Sequence, residues 1–174
     1  MKKIVSLCFI LSFLSIAAIE GFAQKREMTF ILFRHAERYP STKANNSDPE
    51  LTDIGKQRAA KLPELLRKYK PEQIFSTNLK RTVATVTPLA DNLDPKYRVQ
   101  IQKYDFDELQ QFAAKLLTLN ARTVVISGHN NTTPALANLL IKEEKYKQFG
   151  ENEYDKMIIV KIKKVKARAE MISF

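Results

Sequence analysis

The chain has 174 residues, 44 % of them apolar, with only four glycines and a formal net charge of +10 at neutral pH. Length and composition suit one ordinary domain and exclude a disordered or fibrous protein. The basic residues are spread along the chain, densest from Lys161 to Arg168, and there is no zinc-finger spacing, no aromatic-basic ribonucleoprotein motif and no tryptophan. The charge therefore reads as a solvated surface with mild anion attraction, not as nucleic-acid binding.

Met1, Lys2 and Lys3 carry positive charge, Ile4 to Ala18 is almost wholly apolar, and Gly21-Phe22-Ala23 places small residues at the two positions a signal peptidase reads. This pattern predicts a signal peptide over residues 1–23 and a single mature domain over 24–174, exported to the periplasm or secreted. Glu20 interrupts the apolar run near the length where a membrane anchor needs about 20 residues, so the alternative of an uncleaved anchor is disfavoured. Cleavage removes Cys8, the only cysteine. The exported chain then draws its stability from a packed core without disulfides or metals.

Met28 to Phe33 is an apolar, β-branched and aromatic run that reads as a buried strand, ending abruptly at Arg34-His35. Tyr39 to Glu50 reads as a loop. Leu51 to Lys70 carries a helix with Thr52 as N-cap and Ile54, Leu62, Leu65 and Leu66 at helical spacing, and Pro63 is expected to kink or restart it. Glu72 to Phe75 is a short strand, and Ser76 and Thr77 are expected to cap a helix from Leu79 to about Asn92, with Val83, Val86 and Leu89 inward. Arg98 to Ile101 is a further strand. Acidic residues in Tyr104 to Asp107 open a helix bearing Leu109, Phe112, Ala113, Leu116 and Leu117 on one face. Thr123 to Ile126 is the clearest buried strand, Pro134 to Ile141 a helix, and Met157 to Val165 an edge strand. This alternation predicts an α/β fold, a three-layer α/β/α sandwich with a mostly parallel central sheet.

Both histidines of the chain, His35 and His129, follow strongly apolar strands. In a parallel sheet both strand ends reach one edge and face one crevice. Arg34 and Arg38 accompany the first histidine, and Arg81 follows another strand. Converging guanidinium groups suit a tetrahedral dianion, and helix N-termini after Ser76 and His129 would add N–H donors. The positive field keeps an imidazole neutral and nucleophilic. The direct reading is phosphoryl transfer through a phosphohistidine. Glu37 is expected to pair with an arginine, Tyr39 to stack on substrate or to pack. With no mature cysteine and both histidines attributable to phosphate, no metal site and no cofactor are expected.

These residues resemble the histidine phosphatase superfamily, which includes phosphoglycerate mutases, phosphohistidine phosphatases and histidine acid phosphatases. Arg34-His35-Ala36 is similar to the family's Arg-His-Gly, with alanine in the glycine position. The longer stretch RHAERYP is similar to the RHGxRxP of the acid phosphatase branch. Ser76 to Arg81 resembles its Ser-x-x-x-x-Arg turn, Gly128-His129 its Gly-His, and Leu51 to Ala59 its Leu-Thr-x-x-Gly segment.

The resemblance implies a phosphoglycerate mutase-like sandwich. It implies His35 as nucleophile, Arg34, Arg38 and Arg81 as phosphate clamps, and His129 as a donor to the phosphoryl oxygens. The general acid departs from the pattern. Asn130 stands where the acid phosphatase branch has an aspartate, and Asp105 and Asp107 stand where the mutase branch has a glutamate. Asp105 is the expected acid, with helix capping as the competing role for either aspartate. The expected protein is an exported, metal-independent phosphomonoesterase, monomeric, acting on a phosphorylated small molecule or an envelope-linked substrate. The alternatives are a phosphate- or polyanion-binding module with little catalysis, and a mutase-type phosphotransferase.

Overall fold

A computed structural model describes residues 27–41, 48–93 and 99–174. The expected signal peptide, the centre of the Tyr39 to Glu50 loop and Arg98 of the expected third strand lie outside the described residues.

Six strands form one sheet: β1 (Met28–Arg34), β2 (Gln73–Ser76), β3 (Ile101–Lys103), β4 (Thr123–Gly128), β5 (Lys156–Lys163) and β6 (Lys166–Ser173). Their order is β3-β2-β4-β1-β5-β6, with the first four parallel and β5 and β6 antiparallel. Among the described residues four α-helices cover it: α1 (Asp53–Leu66), α2 (Lys80–Asp91), α3 (Leu109–Leu116) and α4 (Thr132–Ile141).

The alternation of side chains along a strand divides the core in two. Phe30, Leu32, Val124 and Ile126 point to one face, where Phe112 and Leu116 of α3 and Leu136 and Leu140 of α4 cover them. Ile31, Phe33, Val125 and Ile159 point to the other, against Leu62 and Leu66 of α1 and Val86 and Leu89 of α2. β1 and β4 are thus buried on both faces, which is why they read as continuous apolar runs. The expected three-layer, mostly parallel α/β/α sandwich is the fold observed.

Local structure corrects several expectations. Thr52 does cap α1, its hydroxyl accepting the Gly55 N–H at 3.1 Å, but Ile54 points outward with 65 % exposure. Pro63 and Pro88 lie inside α1 and α2 without ending either. Leu117 falls beyond α3 and is exposed. The third strand begins at Ile101.

Most consequentially, Met157 to Val165 is not the sheet's edge. β6 pairs with β5 along its whole length, from Lys156↔Ser173 to Lys163↔Lys166, across a tight turn with Lys164 in the left-handed region at φ 57°. The strand KARAEMIS carries few large apolar residues because none of its residues is fully buried, only Ala167, Ala169 and Ile172 being half-buried.

The turn after β1 is held by α1. The Thr52 N–H donates to the Glu37 carbonyl at 2.9 Å, and Arg38 forms an isolated bridge with Leu51. A Cβ on Gly55 would collide with the Glu37 carbonyl oxygen, so only glycine lets the helix approach this backbone. Gly55→Ala is expected to destabilise the protein by about 2 kcal/mol or more, whereas Ile54→Lys at the neighbouring exposed position should stay within about 0.5 kcal/mol. Urea denaturation of the two variants measures both.

Candidate active site

The parallel pairing of β1 with β4 runs from Thr29↔Thr123 to Arg34↔Gly128, and the His35 N–H extends it by donating to the Gly128 carbonyl at 2.9 Å. The two histidines therefore leave the same sheet edge side by side. Their rings lie 5.7 Å apart at an edge-to-face angle of 64°.

His35 is almost fully buried, and its Nδ1 lies 2.7 Å from the Ala36 carbonyl oxygen. A carbonyl only accepts, so Nδ1 carries the proton and Nε2 holds the lone pair. Burial lowers the His35 pKa to about 3; the Ala36 hydrogen bond opposes this, and the charges of Arg34 and Arg81 add to it.

His129 is fixed by hydroxyls. Its Nε2 is 3.3 Å from Thr77 Oγ1, which is 2.7 Å from Thr82 Oγ1. Thr82 donates its one hydrogen to the Leu79 carbonyl at 2.8 Å, so Thr77 donates to Thr82 and accepts from His129 Nε2–H. Burial lowers the His129 pKa to about 4, with Arg81 and Arg34 adding to the effect and Asp48 opposing it.

The arginines surround this pair. Arg34 donates through Nη1 to the carbonyls of Gly150 at 2.8 Å and Glu151 at 3.0 Å, and its guanidinium lies 4.0 Å above the Tyr154 ring. Arg81 donates to Asp48 Oδ1 at 3.2 Å. In both arginines the Nε–H is buried and has no hydrogen-bond partner among the described residues. Burial lowers the pKa of each from the ordinary arginine value. Arg38, half-buried, donates to the Tyr39 carbonyl at 3.1 Å and Ser41 Oγ at 3.0 Å. It is close enough for its charge to depress Arg34, Arg81 and His129.

Glu37 pairs with Arg58, as expected, through Nε at 3.0 Å to both carboxylate oxygens and Nη2 at 2.8 Å. Burial alone would raise its carboxyl pKa, but the Arg58 hydrogen bonds leave it below the ordinary value. Tyr39 is half exposed. Asp105 is exposed, and its Oδ1 accepts the Asp107 N–H at 2.9 Å, closing its own turn. The side chain of that loop that meets His129 is Phe106, edge-on at 5.4 Å. Among the described residues no group of three or more His, Cys, Asp or Glu side chains is placed to hold a metal ion.

Four contributors escaped the sequence. Asp48 caps α2 by accepting the Lys80 N–H at 2.7 Å while pairing with Arg81, so the cap comes from a distant loop and not from Ser76 or Thr77. Ser76 instead donates to the Thr77 carbonyl. Tyr154 and the Gly150 to Glu153 carbonyls seat Arg34, and Thr77 with Thr82 orients His129. The aspartate before Pro49 was the one visible signal, and it marked only a turn.

Residues 30–114 match the family model described as histidine phosphatase superfamily, branch 1. Over those residues, close to half of the chain, the sequence is that of the histidine phosphatase superfamily. Among solved structures, it is similar to the protein histidine phosphatase SixA complexed with tungstate (15 % identity, 84 % of this chain and 97 % of that one, TM-score 0.64). A candidate phosphohistidine phosphatase SixA of Agrobacterium tumefaciens gives 16 % identity, 84 % and 99 % coverage and a TM-score of 0.63. The mycobacterial glucosyl-3-phosphoglycerate phosphatase in complex with inorganic phosphate gives 15 %, 86 % and 97 %, and 0.64. At these identities the likeness establishes the fold. No curated protein sequence matches the chain.

The neutral histidines tie the site to stability. Both folded pKa values lie below the ordinary 6.5, so between them and 6.5 the unfolded chain binds protons that the folded one does not. Their stabilising contribution is complete above pH 6.5 and is lost as pH falls towards 4 and 3. Replacing either histidine by glutamine should flatten the decline of unfolding free energy below pH 6 by about 1.4 kcal/mol per pH unit, read from denaturant titrations at stepped pH.

Proposed function

We propose that this protein is a phosphomonoester hydrolase that works through a phosphohistidine on His35. One observation carries the reading: a neutral, buried imidazole with its Nε2 lone pair available lies within the fields of two arginines whose Nε–H groups are buried without partners among the described residues. An unsatisfied buried donor is costly, and two on cations beside a nucleophile are what a phosphoryl dianion would satisfy.

In the proposed first step His35 Nε2 forms a bond to phosphorus as the ester P–O bond breaks, and the departing oxygen takes a proton. The Ala36 carbonyl stabilises the imidazolium character that develops at Nδ1–H. Arg34 and Arg81, with Arg38 at the rim, hold the equatorial oxygens, and His129 turns its one N–H from Thr77 Oγ1 to one of them. Water then bonds to phosphorus as the N–P bond breaks, passing a proton to the carboxylate that gave one up in the first step, and inorganic phosphate and free His35 are released. Asp105 is the proposed proton donor, opening its turn with Asp107 to reach the leaving oxygen.

We further propose that the reaction needs no metal ion, because the guanidinium groups supply the charge stabilisation, and that the protein acts after export, as a monomer, on a phosphorylated small molecule or envelope component. Among the described residues no helix is long and apolar enough to cross a membrane. A phosphate-binding role with little catalysis is the second reading, favoured by the engagement of Asp105 in its own turn and by Asn130 beside His129.

With a generic aryl phosphate in chelator, the protein should turn over, and His35→Ala should lower the rate by at least about a thousandfold. Activity equal to that variant's would leave the binding reading standing. Asp105→Asn should slow esters with poor leaving groups about a hundredfold and good ones far less. Equal slowing across a leaving-group series would remove Asp105 from the role.

A further inference from the structure

The densest run of positive charge in the sequence, Lys161 to Arg168, lies on the β5–β6 hairpin. β5 runs antiparallel to β1, pairing Met157 with Phe33 near the phosphate pocket and Ile162 with Met28 at the far edge of the sheet. The hairpin turn is therefore at the edge opposite His35, about 25 Å away by strand rise.

Its tip is Lys163-Lys164-Val165-Lys166. Val165 is 96 % exposed, by far the most exposed large apolar side chain among the described residues, and lysines flank it on both sides. The register places Lys163 opposite Lys166 and Lys161 opposite Arg168, so all four project from the same face of the hairpin. They line a concavity of about 750 Å³ bordered by Glu27 and Glu170. These two carboxylates sit 4.0 Å from Lys163 and Lys161, at the limit of an ion pair, and leave Lys164, Lys166 and Arg168 without an acidic partner among the described residues.

A second feature meets this one. Glu27, the first described residue, stands beside Lys163, so residues 1–26 join the domain at the edge that carries the hairpin. That segment includes the apolar run Ile4 to Ala18. The edge at which the chain enters the domain is thus also its most basic, with a bare apolar side chain at the apex.

We propose that the β5–β6 hairpin is a docking surface for anionic phospholipid, with Val165 entering the headgroup layer and Lys163, Lys164, Lys166 and Arg168 contacting lipid phosphates. A lone apolar side chain ringed by cations matches a lipid interface, where apolar burial and charge act together, better than a soluble polyanion, which rewards the charge alone. Docking by this edge turns the His35 pocket away from the membrane and leaves it open to solution. The inference stands on the hairpin and does not depend on the chemistry proposed for the pocket.

The test is cosedimentation of the purified chain from Gln24 onward with vesicles of phosphatidylcholine alone or mixed with phosphatidylglycerol. Binding is expected only to the anionic vesicles, and high salt should release it. Lys163→Glu with Lys164→Glu and Lys166→Glu should weaken binding at least about tenfold. Val165→Ser should weaken it several-fold while leaving retention on a soluble polyanion such as dextran sulfate unchanged, since the substitution removes apolar surface and no charge. Circular dichroism and the turnover of aryl phosphate should stay at wild-type levels in both variants, since the hairpin is remote from the pocket. Failure to bind anionic vesicles, or undiminished binding in the triple variant, overturns the proposal. Vesicle binding insensitive to Val165→Ser overturns the lipid assignment in favour of general polyanion attraction.

Discussion

Everything at the candidate site depends on the register between β1 and β4. A slip of one residue would exchange the two faces of each strand, sending Phe30 and Leu32 towards α1 and α2 and Ile31 and Phe33 towards α3 and α4. Two separately packed cores forbid that slip, so hydrophobic packing on both sides fixes where the strands end. The histidines inherit that precision. The last rung, from the His35 N–H to the Gly128 carbonyl, needs a glycine on the β4 side, where a Cβ would lie 2.8 Å from Tyr104 Oη and 2.9 Å from Thr133 Oγ1. The glycine before His129 is therefore a packing requirement as well as part of a motif.

Gathering arginines at a buried sheet edge carries an electrostatic cost, and the structure meets it without neutralising the pocket. Asp48 balances Arg81, and it does so from a loop whose other carboxylate oxygen caps α2. Arg34 is seated by backbone carbonyls and an aromatic face, dipolar partners that leave its formal charge intact. The one carboxylate adjacent to His35 in sequence, Glu37, is turned to Arg58 and so does not quench the field. Burial foremost, with the residual positive potential adding to it, keeps both histidines unprotonated, and that potential prepares the site for an anion before any arrives, so little reorganisation is left to the moment of binding.

What was legible in the sequence was whatever the core and the charges imposed together. β1 and β4 announced themselves as uncharged runs because they are buried on both faces, and each ended in a histidine because the sheet edge is where polar groups become tolerable. The elements that escaped obey weaker or longer-range rules. β6 fully buries none of its side chains, so its alternation of alanine with charged residues resembles a coil. Ile54 stands at helical spacing yet faces out, since α1 is anchored by Thr52 and Gly55 against the Glu37 backbone and not by that side chain. The cap of α2 comes from Asp48, 32 positions away, which no local pattern can reveal. Hydroxyls such as Thr77 and Thr82 are invisible for the same reason: their worth lies in a chain of hydrogen bonds that only the folded turn assembles.

The short stretch after His35 belongs to no helix or strand, but three elements grip it. Thr85 of α2 accepts the Ala36 N–H at 2.9 Å and passes its own hydrogen to the Arg81 carbonyl at 2.7 Å, linking the backbone of the nucleophile to that of a clamp. Thr52 of α1 donates to the Glu37 carbonyl. Arg58 joins the Glu37 carboxylate to the main-chain oxygen of Phe174 at 3.0 Å, whose ring in turn packs on Phe33 of β1. The Ala36 carbonyl that sets the His35 tautomer is thus held from both helices on this face and from the end of β6. A nucleophile's tautomer is only as firm as the carbonyl that selects it. Here that carbonyl belongs to a segment fixed at every residue from Arg34 to Arg38, and the chemical identity of Nε2 as the reactive atom is a property of the whole layer beneath it.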